Sequence, residues 1–250
     1  MNILVFDTET AGSLNKPFCY NIGYVIANTD TKEILLKKDF VVEQIWYNLP
    51  LFDSAYYADK RPLYVASMRA KKTKLEKFGY IMREMARDIK AYQVENAYAF
   101  NSSFDVNVFE YDCNWFKCIN PLETINVFDI RAFAIQFLVN EDYKAFCDKH
   151  EFYTEAGNYS TTAENVYRYI TKNTEFLEDH TALSDSLIET EILFACTNDT
   201  EILQTEYKVP RAITREFTKT LEIVKDKETV FEIDYSSMKM NKDKTKITLK

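Results

Sequence analysis

Apolar and polar positions along the chain follow two periods. "ILVFD" (3–7), "IGYVIAN" (22–28) and "EILLKKDFVV" (33–42) are short, mostly apolar runs that read as strands, with "NTDTK" as the turn between the last two. Close succession predicts an antiparallel start. Leu75, Phe78, Met82, Met85 and Ile89 then recur three and four apart, predicting a helix over 72–92 with a core-facing stripe and a basic outer face. "NAYAFN" (96–101) and "TINVFDI" (124–130) read as buried strands, each followed by helical sequence, which implies parallel pairing. Thr161 and Glu164 have capping-box spacing ahead of a helix carrying Ala163, Val166, Tyr167 and Ile170, and a last long helix is predicted over 184–196. Beyond "ACTND", the stretches "ETVFEIDY" and "KTKITLK" suggest a terminal hairpin. The expectation is one domain over 1–197 and an extension over 198–250, a helix and a β-hairpin packed on that domain.

With 250 residues and 46% apolar content the chain can build a full core. No run approaches the ~20 apolar residues of a membrane span, and the N-terminus lacks a basic region followed by an apolar signal core, so a cytoplasmic location and no membrane partner are expected. Five cysteines, an odd number, argue for reduced thiols. Cys113, Cys118, Cys147 and His150 have spacings that a zinc tetrad could use, but Cys147 sits in an amphipathic helical pattern and a free cysteine is commonly a small buried apolar residue.

The net charge is −8, yet residues 60–90 carry ten cations against three acids, leaving −15 for the remainder. Such a basic segment on an acidic chain suits phosphate contacts as well as it suits a solvated helix face. Carboxylates recur where apolar runs end. Asp7 and Glu9 flank Thr8, and in an extended strand residues two apart share a side, so both acids project together while Thr8 faces away. Two like charges this close repel unless a cation lies between them; solvated acids at an exposed strand end would account for the stretch equally well. Asp105 follows the strand ending at Asn101, in the first turn of a predicted helix. His180 precedes Asp185 by five positions, in a loop entering the last helix.

Taken together, "FDTET", "NSSFD" and "HTALSD" resemble, in order and spacing, the three motifs of the DEDDh subfamily of the DnaQ-like 3′-to-5′ exonucleases. "NIGYVI" is similar to the family's second strand, and Asp129 stands where relatives often carry an aspartate. The 95 residues between Glu9 and Asp105 exceed the interval in compact relatives, and "GNYSTTAENVYRYI" with the tail after 197 is closer to phage-type members.

The resemblance implies an RNase H-like three-layer α/β/α fold, with a mixed five-stranded sheet whose first three strands are antiparallel and the rest parallel, flanked by helices. It also implies two divalent cations, Mg²⁺ or Mn²⁺, held by Asp7, Glu9, Asp105 and Asp185, with Asp7 bridging them, and His180 as general base. Thr8, Thr10, Asn101, Phe104 and Ala182 are expected at the substrate, as are Lys71, Lys72 and Lys74. The implied activity is release of nucleoside 5′-monophosphates from nucleic acid 3′ ends, with single-stranded DNA ahead of RNA. A catalytically silent nucleic-acid-binding protein of the same fold and a homodimeric state are left open.

Overall fold

The computed structural model describes residues 1–215. A six-stranded mixed sheet runs in the order β4-β3-β2-β1-β5-β6. Its strands are β1 (Asn2–Ser13), β2 (Lys16–Asn28), β3 (Ile34–Val42), β4 (Lys74–Glu76), β5 (Asn96–Ala99) and β6 (Asn126–Asp129). The helices are α1 (Glu43–Trp46), α2 (Leu49–Phe52), α3 (Arg61–Arg69), α4 (Phe78–Ala91), α5 (Ser103–Phe116), α6 (Ile130–Phe137), α7 (Glu141–His150), α8 (Ala163–Thr171), α9 (Ala182–Cys196) and α10 (Thr200–Leu203). The first three strands pair antiparallel, and β5 and β6 extend the sheet in parallel from β1, as expected.

Strand alternation divides the core into two layers. Leu4 and Phe6 of β1 pack with α4 and α5 on one face, whereas Ile3 and Val5 pack with α6 to α9 on the other. The predicted stripe of Phe78, Met82, Met85 and Ile89 is buried in the first layer. Tyr24 and Lys38 reach across to Asp88, and Lys38 also to Glu84, so two acids of α4 face the sheet and leave the outer side to cations.

Three details differ from the sequence reading. The sheet has a sixth strand: β4 pairs parallel with β3, placing Leu75 opposite Val41 and delaying the helix expected from residue 72 until Phe78. Three residues carry too little pattern to announce an edge strand. Lys71, Lys72 and Lys74 therefore lie in the turn and strand at that edge, not on a helix. Thr162, not Thr161, caps α8, accepting from the Asn165 amide at 3.3 Å, while Thr161 receives Arg131. Cys113 and Cys147 are small buried residues, as the helical pattern implied: one belongs to each core layer with the sheet between them, and the zinc tetrad does not form.

Residues 198–215 of the extension pack on the domain through α10, whose buried Leu203 offers its carbonyl to the Tyr98 hydroxyl at 2.8 Å. The predicted hairpin lies outside the described residues. Among those described, no helix is long and apolar enough to cross a membrane.

Candidate active site

The acids of "FDTET" sit within β1, not at its end. β1 runs on to Ser13 in a hairpin with β2, but its parallel pairing with β5 stops at Val5 opposite Tyr98. Asp7 therefore lies just beyond the end of a neighbouring parallel strand, the crevice where open α/β sheets place ligands. The alternation that sends Ile3 and Val5 toward α9 sends Asp7 and Glu9 to the same face.

Asp185 reaches them because β2 is built to receive the start of α9. Gly23 lies opposite Asp7, and Asn21 opposite Glu9. A methyl group on Gly23 would stand 2.0 Å from the Leu183 nitrogen and 2.2 Å from the Ala182 carbonyl carbon, so only glycine admits the helix this close. The Asn21 side-chain oxygen accepts the Ala182 amide at 2.8 Å, supplying the cap that Thr181 does not. Ser186 donates to the Gly23 carbonyl at 3.0 Å. Asp7, Glu9 and Asp185 can thus each offer an oxygen within 4.8 Å of the others.

Asp105 arrives from the opposite face on α5. Its Oδ1 accepts both the amide of Thr8, at 3.1 Å, and the Thr8 hydroxyl, at 2.6 Å. Thr8, expected to line the pocket, is buried and gives its hydroxyl to Asp105 instead. Asp105 stands beside the three-acid group and outside it.

Two further acids join them that sequence reading had passed over. Glu189 is buried one turn along α9 from Asp185 and accepts the Phe100 amide at 3.2 Å. Glu178 has one oxygen buried without a hydrogen-bond partner. The only local signal for Glu189 was an acid four residues after Asp185 within an apolar run. Glu178 gave none.

Burial first, then mutual repulsion, raises the carboxyl pKa values of Glu9, Asp105, Asp185 and Glu189 well above the ordinary range; Asp7 is raised by burial and partly relieved by the Thr8 amide. Glu178 is pushed up to about 7 by burial and by Glu164 and Asp7. Among the described residues no lysine, arginine or histidine forms an ion pair with Asp7, Glu9, Asp105 or Asp185. Asp185 Oδ1 is likewise buried with no partner. A set of hard oxygens that repel one another and have no ion-pair partner fits a divalent metal cation.

His180 sits at the approach to this group, in the loop before α9, with a left-handed φ of 51°. Its ring stacks on Tyr57 at 4.3 Å between centroids, and Nδ1 is 3.7 Å from a Glu178 oxygen. Tyr57 in turn feels the charges of Glu9 and Asp185. Burial, then nearby Lys60, lowers the His180 pKa below 6.5, favouring neutral imidazole at neutral pH.

The other expected site residues spread around the crevice. Asn101, exposed with φ 62°, donates its amide to Asp129 at 3.0 Å; Asp129 also caps α6. Phe104 is half-buried against the first core layer, Thr10 follows the bulge after Glu9, and Ala182 is buried beneath the helix start. Lys74 pairs at the level of Phe40, itself opposite Ile22 and so level with Thr8, but three strands away, about 14 Å at ordinary strand spacing.

No protein-family model and no curated protein matches the sequence. Solved structures do match. The nuclease domain of 3′hExo, a DEDDh family member bound to rAMP, superposes with a TM-score of 0.51 at 12% identity, over 84% of this chain and 96% of that one. A 3′-exonuclease structure concerned with 3′-end-specific recognition of histone mRNA stem-loop gives 0.53 at 12% identity, over 81% of this chain and 63% of that one. A full-length 3′-exonuclease gives 0.51 at 13% identity, over 78% and 59%. At these identities the likeness is one of architecture, and the chain has the RNase H-like α/β/α fold of the DEDDh 3′ exonucleases.

Proposed function

We propose that the protein is a metal-dependent 3′-to-5′ exonuclease that releases nucleoside 5′-monophosphates from single-stranded nucleic acid, DNA in the first place. The observation that carries this reading is the convergence of Asp7, Glu9 and Asp185 within 4.8 Å, without a cationic partner, beside Asp105. His180 near the same crevice completes the set that a DEDDh nuclease would need.

Asp7, Glu9 and Asp185 would hold one divalent cation, and Asp105 with Asp7 a second. Bound there, the cations would supply positive charge for the attacking and leaving oxygens of an in-line displacement at phosphorus. The chain's own part is positioning and proton handling. Thr8 fixes Asp105, and Asn21 with Gly23 fixes the helix that carries Asp185. His180, held neutral by its surroundings and stacked on Tyr57, accepts the proton of the attacking water. Glu178 lies 3.7 Å from the His180 Nδ1, and the charges of Glu164 and Asp179 favour the imidazolium that results. Asn101, just beyond β5, and Phe104, in the first turn of α5, receive the terminal nucleotide, Phe104 by stacking.

An RNA substrate is the second reading, favoured because two fold neighbours are described with rAMP and with a histone mRNA stem-loop. One experiment addresses both: matched, 5′-labelled DNA and RNA oligonucleotides with free or blocked 3′ ends, incubated with Mg²⁺ or Mn²⁺. Stepwise shortening of free-ended strands only is the expected result. No cleavage of either polymer in either metal would sink the exonuclease reading.

A further inference from the structure

One large cleft of about 870 Å³ lies beside the acid cluster without being part of it. It begins at Phe100 and Asn101, where β5 ends, and Phe100 is the residue whose amide Glu189 holds. Its far walls come from the loop before α8 and from residues 211–214 of the C-terminal extension, joined by the pairing of Tyr159 with Ile213.

The chemistry of this cleft is opposite to that of its neighbour. None of its fifteen lining residues is Asp or Glu, in a chain where 39 of 250 are. Arg131 and Arg211 both line it; Arg131 feels the charge of Asp129 just behind it without closing an ion pair, and Arg211 forms none among the described residues. Arg131 is held in place by donating through Nε and Nη2 to Thr161 Oγ1, at 3.2 and 3.1 Å. Hydroxyls from Thr154, Ser160 and Thr161 complete the polar wall, and Phe100 and Tyr159 contribute rings. Two arginines outside any ion pair, on a wall without acids of its own, create a local field that draws an anion, and cations interleaved with aromatic surface are how single-stranded nucleic acid is gripped.

We propose that this cleft binds backbone phosphates of the substrate strand upstream of its 3′ terminus, with Arg131 and Arg211 as the phosphate contacts. This rests on the exonuclease reading and adds the path of the strand: from the acid cluster past Asn101 toward the β6 side, away from Lys71, Lys72 and Lys74 at the β4 edge. The C-terminal extension thereby becomes part of the substrate site.

The test is binding of 5′-fluorescein oligothymidylates of two and twelve nucleotides to the full chain in Ca²⁺ at several salt concentrations, for wild type, Arg131→Gln, Arg211→Glu and a triple Lys71/Lys72/Lys74→Ala variant. Loss of an arginine contact should weaken the longer strand by about tenfold or more, the dinucleotide much less, and flatten the log-log salt slope by about 0.7 per phosphate lost. Arg211 is exposed, so its variant should fold even if replacing Arg131 perturbs the Thr161 contact. If Arg211→Glu keeps the wild-type slope and length dependence, the cleft is not on the path. A slope that falls only in the lysine variant puts the strand along the β4 edge and overturns the proposal too. Both outcomes leave the exonuclease reading standing if wild type still shortens free 3′ ends; absence of cleavage and of binding in wild type would remove both.

Discussion

Gly23 and Ala182 are 159 positions apart in sequence, yet a methyl group on Gly23 would stand 2.2 Å from the Ala182 carbonyl carbon. This contact sets the height of α9 above the sheet and with it the position of Asp185. Gly23→Ala must push backbone against backbone, which no rotamer change relieves. The expected cost is about 1–3 kcal/mol of stability, the usual range for overpacking, with a larger loss of activity because Asp185 moves away from Asp7. Urea unfolding and nuclease assays on the same preparation check it; a variant of wild-type stability and rate would show that α9 has another anchor.

Stability should depend on pH in a direction that identifies the acid cluster. Asp7, Asp185 and Glu178 have folded pKa values raised to about 7, 9 and 7, whereas the unfolded chain releases these protons near pH 4. The folded state therefore binds more protons, its stability is complete below about pH 4, and it is lost as pH rises through 7 to 9. In EDTA the melting temperature should fall between pH 5 and 9, Mn²⁺ should largely remove the slope, and Asp7→Asn should raise the melting temperature at pH 8 while abolishing hydrolysis. A flat profile in EDTA would contradict the raised values.

His180→Ala should reduce the rate by about 10² to 10⁴ at neutral pH, the range for losing a general base. Because burial and Lys60 lower the His180 pKa, the wild-type rate should rise through a midpoint below 6.5 and then level off. Single-turnover rates from pH 5 to 8.5 at saturating metal would decide the point, and an unchanged rate in the variant would make His180 a bystander.

Thr8→Val keeps the shape of a buried side chain and removes the hydroxyl that Asp105 Oδ1 accepts at 2.6 Å. The cost should be about 0.5–1.5 kcal/mol, the usual range for an intramolecular hydrogen bond. Since this hydrogen bond lowers the Asp105 pKa, its loss should also weaken Mn²⁺ affinity. Calorimetric titration of Mn²⁺ into both proteins measures the difference, and equal affinities would mean that Asp105 is held without Thr8.

Much of the site was legible locally. Strand alternation placed Asp7 and Glu9 on one side with Thr8 opposite, the apolar runs announced five of six strands, and the ordered motifs picked out Asp105, His180 and Asp185. These signals need only the two- or three-to-four-residue periods of extended and helical backbone, which each segment carries within itself. The three-residue β4 was too short to show a period.

What tertiary structure alone decided is which distant groups face one another. "NIGYVI" revealed a strand but not that Asn21 caps, and Gly23 clears, a helix 160 residues later. Glu178 and Glu189 join the cluster, Thr8 turns from the pocket to Asp105, and two arginines 80 positions apart line one cleft only because the extension packs back on the loop before α8. Periodicity states the side on which a residue lies; the partner across that side depends on layers closing over the sheet, and no local pattern encodes that distance.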